Sequence, residues 1–382
     1  MRLIKTLVKT QNIFSFSNTL INPIKTVKNF KFIYILIIIF KLVQQRQIYS
    51  RDSEIILTID GDGSQYVLFP SYENTCPENI YISHDQKNYN SINPVSGCNK
   101  INIPSNTDSK INKVKLVWSN SKLTTARDIL KDLPNLIEAD LSKFDSSEIM
   151  DMDYMFQRDH ALKSINFNNF ITSSVKSMHC TFYECSNLTE LNLSSFDTSL
   201  VTEMRLMFFG CQKLVSLNIE SFDTSNVLNM EFLFFQCFSL KNLTLKNFNT
   251  SKVKKMNYMF FECDSLNSLD LSMFDTSSLT EMDFMFAYSK WLISLNLSNF
   301  NTSNVYTMKN VFEGCKSLDF LDISNFDTSE VIYMDGMFKG CENLKSLDLS
   351  NFHTPKLQYI NQTFTNCQSL NVLDISNLLQ IK

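Results

Sequence analysis

The stretch NLTELNLSSFDTSLVTEMRLMFFGCQKL, Asn187 to Leu214, contains each feature that recurs along this chain. Its Phe196 returns at a fixed interval of 26 residues without insertion, as Phe144, Phe170, Phe196, Phe222, Phe248, Phe274, Phe300, Phe326 and Phe352, with Leu378 in the tenth place. A fixed period of this size marks a repeat array, in which each unit buries its apolar face against its neighbours.

Within the unit, Leu188, Leu191 and Leu193 form LxxLxL. Leu191 and Leu193 point to one side of a short strand and Asn192 to the other. Phe196 turns inward. Asp197, Thr198 and Ser199 are turn and cap formers, and Val201, Met204, Phe208 and Cys211 follow at spacings of three, four and three. That spacing predicts a short helix with one apolar stripe, capped by Thr198 or Ser199. One unit buries too little apolar surface to offset the entropy of ordering it. The fold class expected is therefore α/β: about ten 26-residue coils of parallel strands plus short helices, the strands sharing one parallel sheet.

A second column, Phe156, Phe182, Phe208, Phe234, Phe260, Phe286, Phe312, Phe338 and Phe364, has no exception and reads as a packing slot. The two Phe columns hold 18 of the 32 Phe, and the Met positions beside them 13 of the 16 Met, so the unusual composition is the repeat seen in bulk.

Three segments follow. Residues 1–50 carry a basic stretch (Arg2, Lys5, Lys9, Lys25, Lys28, Lys31) and then the apolar run Phe32 to Phe40. That run is shorter than the ~20 residues a membrane span takes, so it reads as a signal peptide or signal anchor, with a buried strand as the structural alternative. Residues 51–117 alternate short β-rich runs with turn residues and read as a small N-terminal cap, which shields the end of a stack. Asp60-Gly61-Asp62-Gly63 reads as a hairpin turn rather than a calcium loop, because Gln65 and Ser71 stand where such a loop needs glycine and a bidentate glutamate. Residues 118–382 are the repeat array.

Seven of the ten cysteines share one column, Cys185, Cys211, Cys237, Cys263, Cys315, Cys341 and Cys367, with Ser289 in the missing place. No second Cys or His column accompanies them, so they read as small buried thiols rather than a metal array. Cys76 and Cys98 lie in the cap and are a candidate disulfide if the chain is secreted. Four His, at 84, 160, 179 and 353, share no column, and seven Gly offer no phosphate-cradling loop. With 35 Lys+Arg against 39 Asp+Glu and no basic block in the repeats, a nucleic-acid partner is not expected. No catalytic, metal or cofactor site is expected either.

The positions facing out from the strands form a polar column that includes Asn192, Asn218, Thr244, Asp270, Asn296, Asp322 and Asp348. It is the candidate ligand-facing surface for a protein or glycan, and the structural alternative is a solvated sheet face. No aromatic recurs there, with Phe320 and Tyr359 as isolated anchors. Oligomeric state is not legible, and a membrane enters only through the N-terminal apolar run.

The pattern LxxLxLSxFDTSxVxxMxxMFxxCxxL, closely followed by LDISNFDTSEVIYMDGMFKGCENLKSLDLSNF (Leu321 to Phe352), resembles the 26-residue surface-protein repeat of the BspA-like leucine-rich-repeat family over residues 118 to 382. The resemblance implies a right-handed leucine-rich-repeat solenoid, cell-surface or secreted placement, a role in adhesion or recognition, and no catalysis. Ordinary leucine-rich repeats place an Asn between turns where this chain has Phe, so the DTS group is expected to satisfy the loop backbone. The alternative function is an intracellular (cytoplasmic) repeat scaffold for protein–protein interaction, which a column of free thiols suits.

Overall fold

Alternation decides the first strands. In β1 (Ser53–Asp60) Ile55, Leu57 and Ile59 are buried, and in β7 (Ile111–Trp118) Val114, Leu116 and Trp118 are. The computed structural model describes residues 52–68, 76–85, 88–96, 100–103, 110–119, 122–373, 375 and 378, all within the unit Asp52–Lys382. The apolar run Phe32 to Phe40 lies outside them. Between β1 and β7 come β2 (Gly63–Tyr66), β3 (Asn79–Ser83), β4 (Asn90–Ser91), β5 (Pro94–Ser96) and β6 (Lys100–Ile103). β8 (Leu136–Lys143) and β9 (Ser164–Asn166) complete a six-stranded sheet of order β4-β3-β7-β1-β8-β9, while β2, β6 and β5 form a second, antiparallel sheet.

The expected hairpin at Asp60–Gly63 does not form. β1 has both edges occupied, by β7 and by β8, so β2 has no edge to pair with and joins β6 instead. Gly61 and Gly63, at φ +115° and +74°, carry the chain from one sheet to the other. β8 pairs antiparallel with β1 and parallel with β9, Glu138 opposite Ser164, so the N-terminal sheet runs directly into the 26-residue register.

That register then holds throughout. β10 (Glu190–Asn192) pairs with β11 (Ser216–Asn218), β12 (Ser268–Asp270) with β13 (Ser294–Asn296), and β14 (Ser346–Leu347) with β15 (Val372–Leu373), each parallel. The expected single sheet is replaced by these separate pairs. Strands of two or three residues make few cross-repeat bonds, so a small change of twist interrupts them. Continuity lies elsewhere, in parallel bridges that link Asp151, Ser177, Glu203, Asn229, Lys255, Glu281, Thr307, Tyr333 and Tyr359 in turn.

The short helices are also absent: the described residues contain no helix. From Met204 to Cys211 the N–H groups alternate between two kinds of acceptor. Met207 and Cys211 bond three residues back, to Met204 and Phe208 at 3.2 Å, whereas Leu206 and Phe208 bond across to Glu231 and Leu233 of the next repeat at 3.1 Å. Two positions per repeat, four apart, take positive φ, for example Cys180 and Glu184, Phe232 and Gln236, Tyr258 and Glu262. Left-handed residues at that spacing break an α-helix and leave a ladder of turns, which presents a similar apolar stripe.

The stripe is buried as the spacing required. The second Phe column stacks ring on ring from Phe156 to Phe364 at 5.5–5.8 Å. The first stacks less closely, Phe222 through Phe326 at 6.4–6.5 Å. The result is a repetitive, β-rich architecture of stacked 26-residue units around one core.

Candidate functional site

Side chains that tie the backbone together are separated first from those free to bind. In the outward strand column, Asn192, Thr244, Asp270, Asn296, Asp322 and Asp348 are exposed and Asn218 is half-buried. The carbonyl or carboxylate oxygen of each Asn and Asp accepts the N–H two residues on, as Ser194 to Asn192 at 3.1 Å and Ser350 to Asp348 at 2.9 Å. These are Asx turns, so the one side-chain oxygen of each Asn and one of the two oxygens of each Asp are engaged in architecture. Hydrogen bonds from Ser272 and Ser324 hold the Asp270 and Asp322 carboxyls below their ordinary range.

The DTS residues divide the same way. Asp197 accepts from the Ser199 N–H and hydroxyl, at 3.0 and 2.7 Å, while Thr198 is buried and reaches the next repeat. No helix is present for either Thr198 or Ser199 to cap. Between repeats the chain also uses Asn immediately before the first Phe column: Asn325 donates to the Phe300 carbonyl at 2.7 Å and Asn351 to Ser324 at 2.6 Å. The reading from sequence missed this row of Asn, which shares the bracing with Thr.

Each thiol of the Cys column donates to the carbonyl of a second-column Phe one repeat earlier, Cys211 to Phe182 and Cys237 to Phe208, both at 3.2 Å. Ser289 makes the same bond to Phe260 at 2.7 Å. Burial pushes the Cys211 and Cys315 thiols up to about 12, so they are neutral donors. Asp159 fills this column one repeat before Cys185. It is fully buried, and its Oδ1 accepts from the Leu133 N–H at 2.7 Å. Cys76 is disulfide-bonded, and Cys98 lies outside the described residues.

Among the described residues one Cys–His contact exists, Cys180 Sγ to His179 Nε2 at 3.4 Å. Burial raises the Cys180 thiol to about 12, the opposite of an activated nucleophile. Among the described residues no group of three His, Cys, Asp or Glu is placed to hold a metal ion. A shallow concavity of about 420 Å³ lies over Ser147, Glu148, Met150, Ser174, Lys176 and Leu200, where Glu148 already pairs with Lys122 at 2.8 Å.

The surface that stands out lies on the turns. Tyr183, Phe209, Phe235 and Phe261 stack at 4.4–4.6 Å, and beside them Phe232, Tyr258 and Phe284 stack at 4.7 Å. Cross-contacts join the rows, Phe232 to Phe235 at 5.7 Å and Tyr258 to Phe261 at 5.5 Å, and Tyr288 closes the far end against Phe261 at 5.4 Å. All eight rings are half-buried. Arg205 lies over Phe232 at 5.8 Å, and Tyr288 donates to Glu313 at 2.7 Å; burial, with that bond second, raises its phenol to about 12.

This aromatic ridge is not demanded by the backbone. Phe232, Tyr258 and Phe284 occupy a left-handed column that Asn310 and Gly336 fill farther along, while Phe209, Phe235 and Phe261, at ordinary negative φ, occupy a neighbouring column that continues as Ala287 and Glu313. A bulky side chain at positive φ costs roughly 1–2 kcal/mol. Stacking at about 0.5–1.5 kcal/mol per pair returns much of it. From sequence these residues fell on the exposed side of an expected helix, so their lateral stacking was invisible. Trp291, 63% exposed, was also missed, while Phe320, 65% exposed, and Tyr359 stand out as expected.

A family model described as "Mycoplasma protein of unknown function, DUF285" matches the chain three times, over residues 103–217, 203–295 and 289–379. One similar solved structure is titled "Functional domain of InlJ from Listeria monocytogenes includes a cysteine ladder". It is 16% identical over 70% of this chain and 68% of that one, with a TM-score of 0.16. No curated protein matches.

Proposed function

We propose that this chain, which belongs to the DUF285 repeat family, is a non-catalytic recognition protein built as a right-handed, leucine-rich-repeat-type solenoid and carried at the cell surface or secreted. The observation that carries the reading is the division of labour within each repeat. The Phe, Met, Cys and Thr columns are buried and committed to stacking, whereas the outward columns change residue from repeat to repeat on a constant backbone. A scaffold that fixes its core and varies its surface suits binding of a protein or glycan over many contacts.

The apolar run Phe32 to Phe40 and the disulfide-bonded Cys76 favour export. The column of free thiols from Cys185 to Cys367 favours the second reading, an intracellular scaffold. A tagged full-length chain in its own cells separates the two: protease added to intact cells should remove the array, and complete protection would leave the scaffold reading in its place.

A further inference from the structure

We propose that the aromatic ridge is the docking surface for a cationic, apolar polypeptide segment; this deepens the recognition reading and rests on it. Three observations lead there. The first is confinement: the stacked rows run only from Tyr183 to Tyr288, with Tyr154 set apart against His179 in the same column beyond Cys180 and Leu206, although the two columns continue with Asn310, Gly336 and Glu313 on an unchanged backbone. Stacking alone therefore does not account for them.

The second is ring orientation. The stacked pairs lie within 4–10° of parallel, so each interior ring has its faces covered by the rings above and below and offers only its edge. Arg205 already covers the outer face of Phe232. A pyranose stacks on a ring face, so this surface disfavours a glycan, while a ridge of C–H edges suits aliphatic and aromatic side chains.

The third is charge. Half-buried Glu184, Glu203, Glu231, Glu262, Glu281 and Asp283 lie on the repeats that carry the rings, against Arg205 and Lys255, with Lys309 facing Asp283 at the far end. Arg205 is engaged with Glu231 at 3.7 Å and Lys255 with Glu281 at 2.9 Å. Glu262 accepts from the neutral Gln236 at 2.8 Å, and Glu184 meets Arg158 only at 3.9 Å. The rim is left with a net negative charge that Lys or Arg of a partner would complement, and Arg and aromatic residues are the usual anchors of such contacts.

The test is selection from a displayed library of random peptides about ten residues long, enough to span the ridge in extended form at ~3.3 Å per residue. It is run on the full chain and on a Phe232→Asn, Tyr258→Asn, Phe284→Asn variant. Asn stands in that column at Asn310, so the variant is designed to keep the backbone. A second variant, Glu203→Gln with Glu262→Gln, leaves every ring in place and carries the test alone if the first loses its cooperative melt. The expected result is at least about tenfold greater recovery on the unmodified chain than on either variant, with the enriched peptides bearing Lys or Arg among apolar residues. Equal recovery on all three, or enrichment of acidic or neutral peptides, overturns the proposal. So does undiminished attachment to cells by the triple variant, which would leave the recognition reading standing on another face.

Discussion

Thr198 Oγ1 donates to the Asp223 carbonyl at 3.0 Å and accepts from the Asp223 N–H at 2.8 Å, so one buried hydroxyl satisfies both backbone groups of a residue in the next repeat. Thr172 does the same for Asp197 and Thr276 for Asn301. The rung explains why the loop after each Phe can stay tight without a helix to anchor it. Its threonines are buried as deeply as the leucines, which is unusual for a hydroxyl and follows from both lone pair and proton being used.

Replacing Thr198 with Val keeps the shape and removes the hydroxyl, leaving two buried backbone groups unpaired. At about 1–3 kcal/mol for each, the loss of stability is about 2–6 kcal/mol, and Thr198→Ser costs less than half of that. Urea denaturation of the two variants checks it. A larger loss in Thr198→Ser than in Thr198→Val would mean that packing of the methyl, not the hydroxyl, is what matters.

The two left-handed columns predict a graded response at glycine. Gly340 (φ +73°) has only the Gly314 backbone near a new Cβ, at 3.6 Å, so Gly340→Ala carries conformational strain alone, about 1–2 kcal/mol. At Gly336 (φ +61°) a Cβ would also overlap Asn310 Nδ2, which is bonded to Glu313 at 2.7 Å. Gly336→Ala is expected to cost more than Gly340→Ala, and Asn310→Ala in the same chain to recover the difference. A thermal-melt double-mutant cycle reads the coupling, and additive costs would rule out the contact.

The glycines show what was legible in the sequence and what was not. All four within the repeats, Gly210, Gly314, Gly336 and Gly340, fall in the two left-handed columns, a signal that the turns were not helical. It was faint, because most occupants are ordinary residues such as Leu206, Phe232 and Glu262, whose side chains say nothing of positive φ. The buried columns were legible because a period of 26 forces like onto like in a stack. An apolar spacing of three and four fits a helix and a turn ladder equally well, so it placed Met204 and Phe208 in the core without deciding the backbone. The ridge was illegible for the same reason: its rings meet across repeats, between residues 26 apart.

The thiol column makes the array sensitive to alkali. Cys211 and Cys315 titrate near 12 when folded, because burial disfavours the thiolate, and near ~8.5 when unfolded. Below ~8.5 both states are neutral and the stabilisation is complete. Above it the unfolded chain releases protons that the folded chain keeps, so stability falls by about 1.4 kcal/mol per thiol per pH unit until the folded value is reached. Melting temperatures should therefore drop steadily above about pH 9. Cys211→Ser should shallow that slope while keeping the bond to Phe182 that Ser289 makes to Phe260. An unchanged slope would place the alkaline loss elsewhere.

Asp159 reverses the usual behaviour of a carboxylate. Burial drives its pKa well above 3.8, the Leu133 N–H opposing this and Asp132 adding to it, and its Oδ2 is buried without a hydrogen-bond partner. It stands in a column where every later occupant donates a proton to a main-chain carbonyl, Cys185 to Phe156 at 3.1 Å among them, so the neutral acid is the form that suits the slot. A carboxyl whose pKa is raised on folding contributes its full stability below the unfolded value, near ~3.9, and that contribution is lost as pH rises through the folded value. Asp159→Asn is permanently neutral and keeps an oxygen for Leu133. The variant is thus expected to gain stability relative to the parent as pH rises from about 4 to 8, and to match it or fall below it at the acid end. Paired urea titrations across that range measure the gap. A gap that does not change with pH would show that Asp159 titrates alike in both states, and that its buried oxygen is satisfied by water.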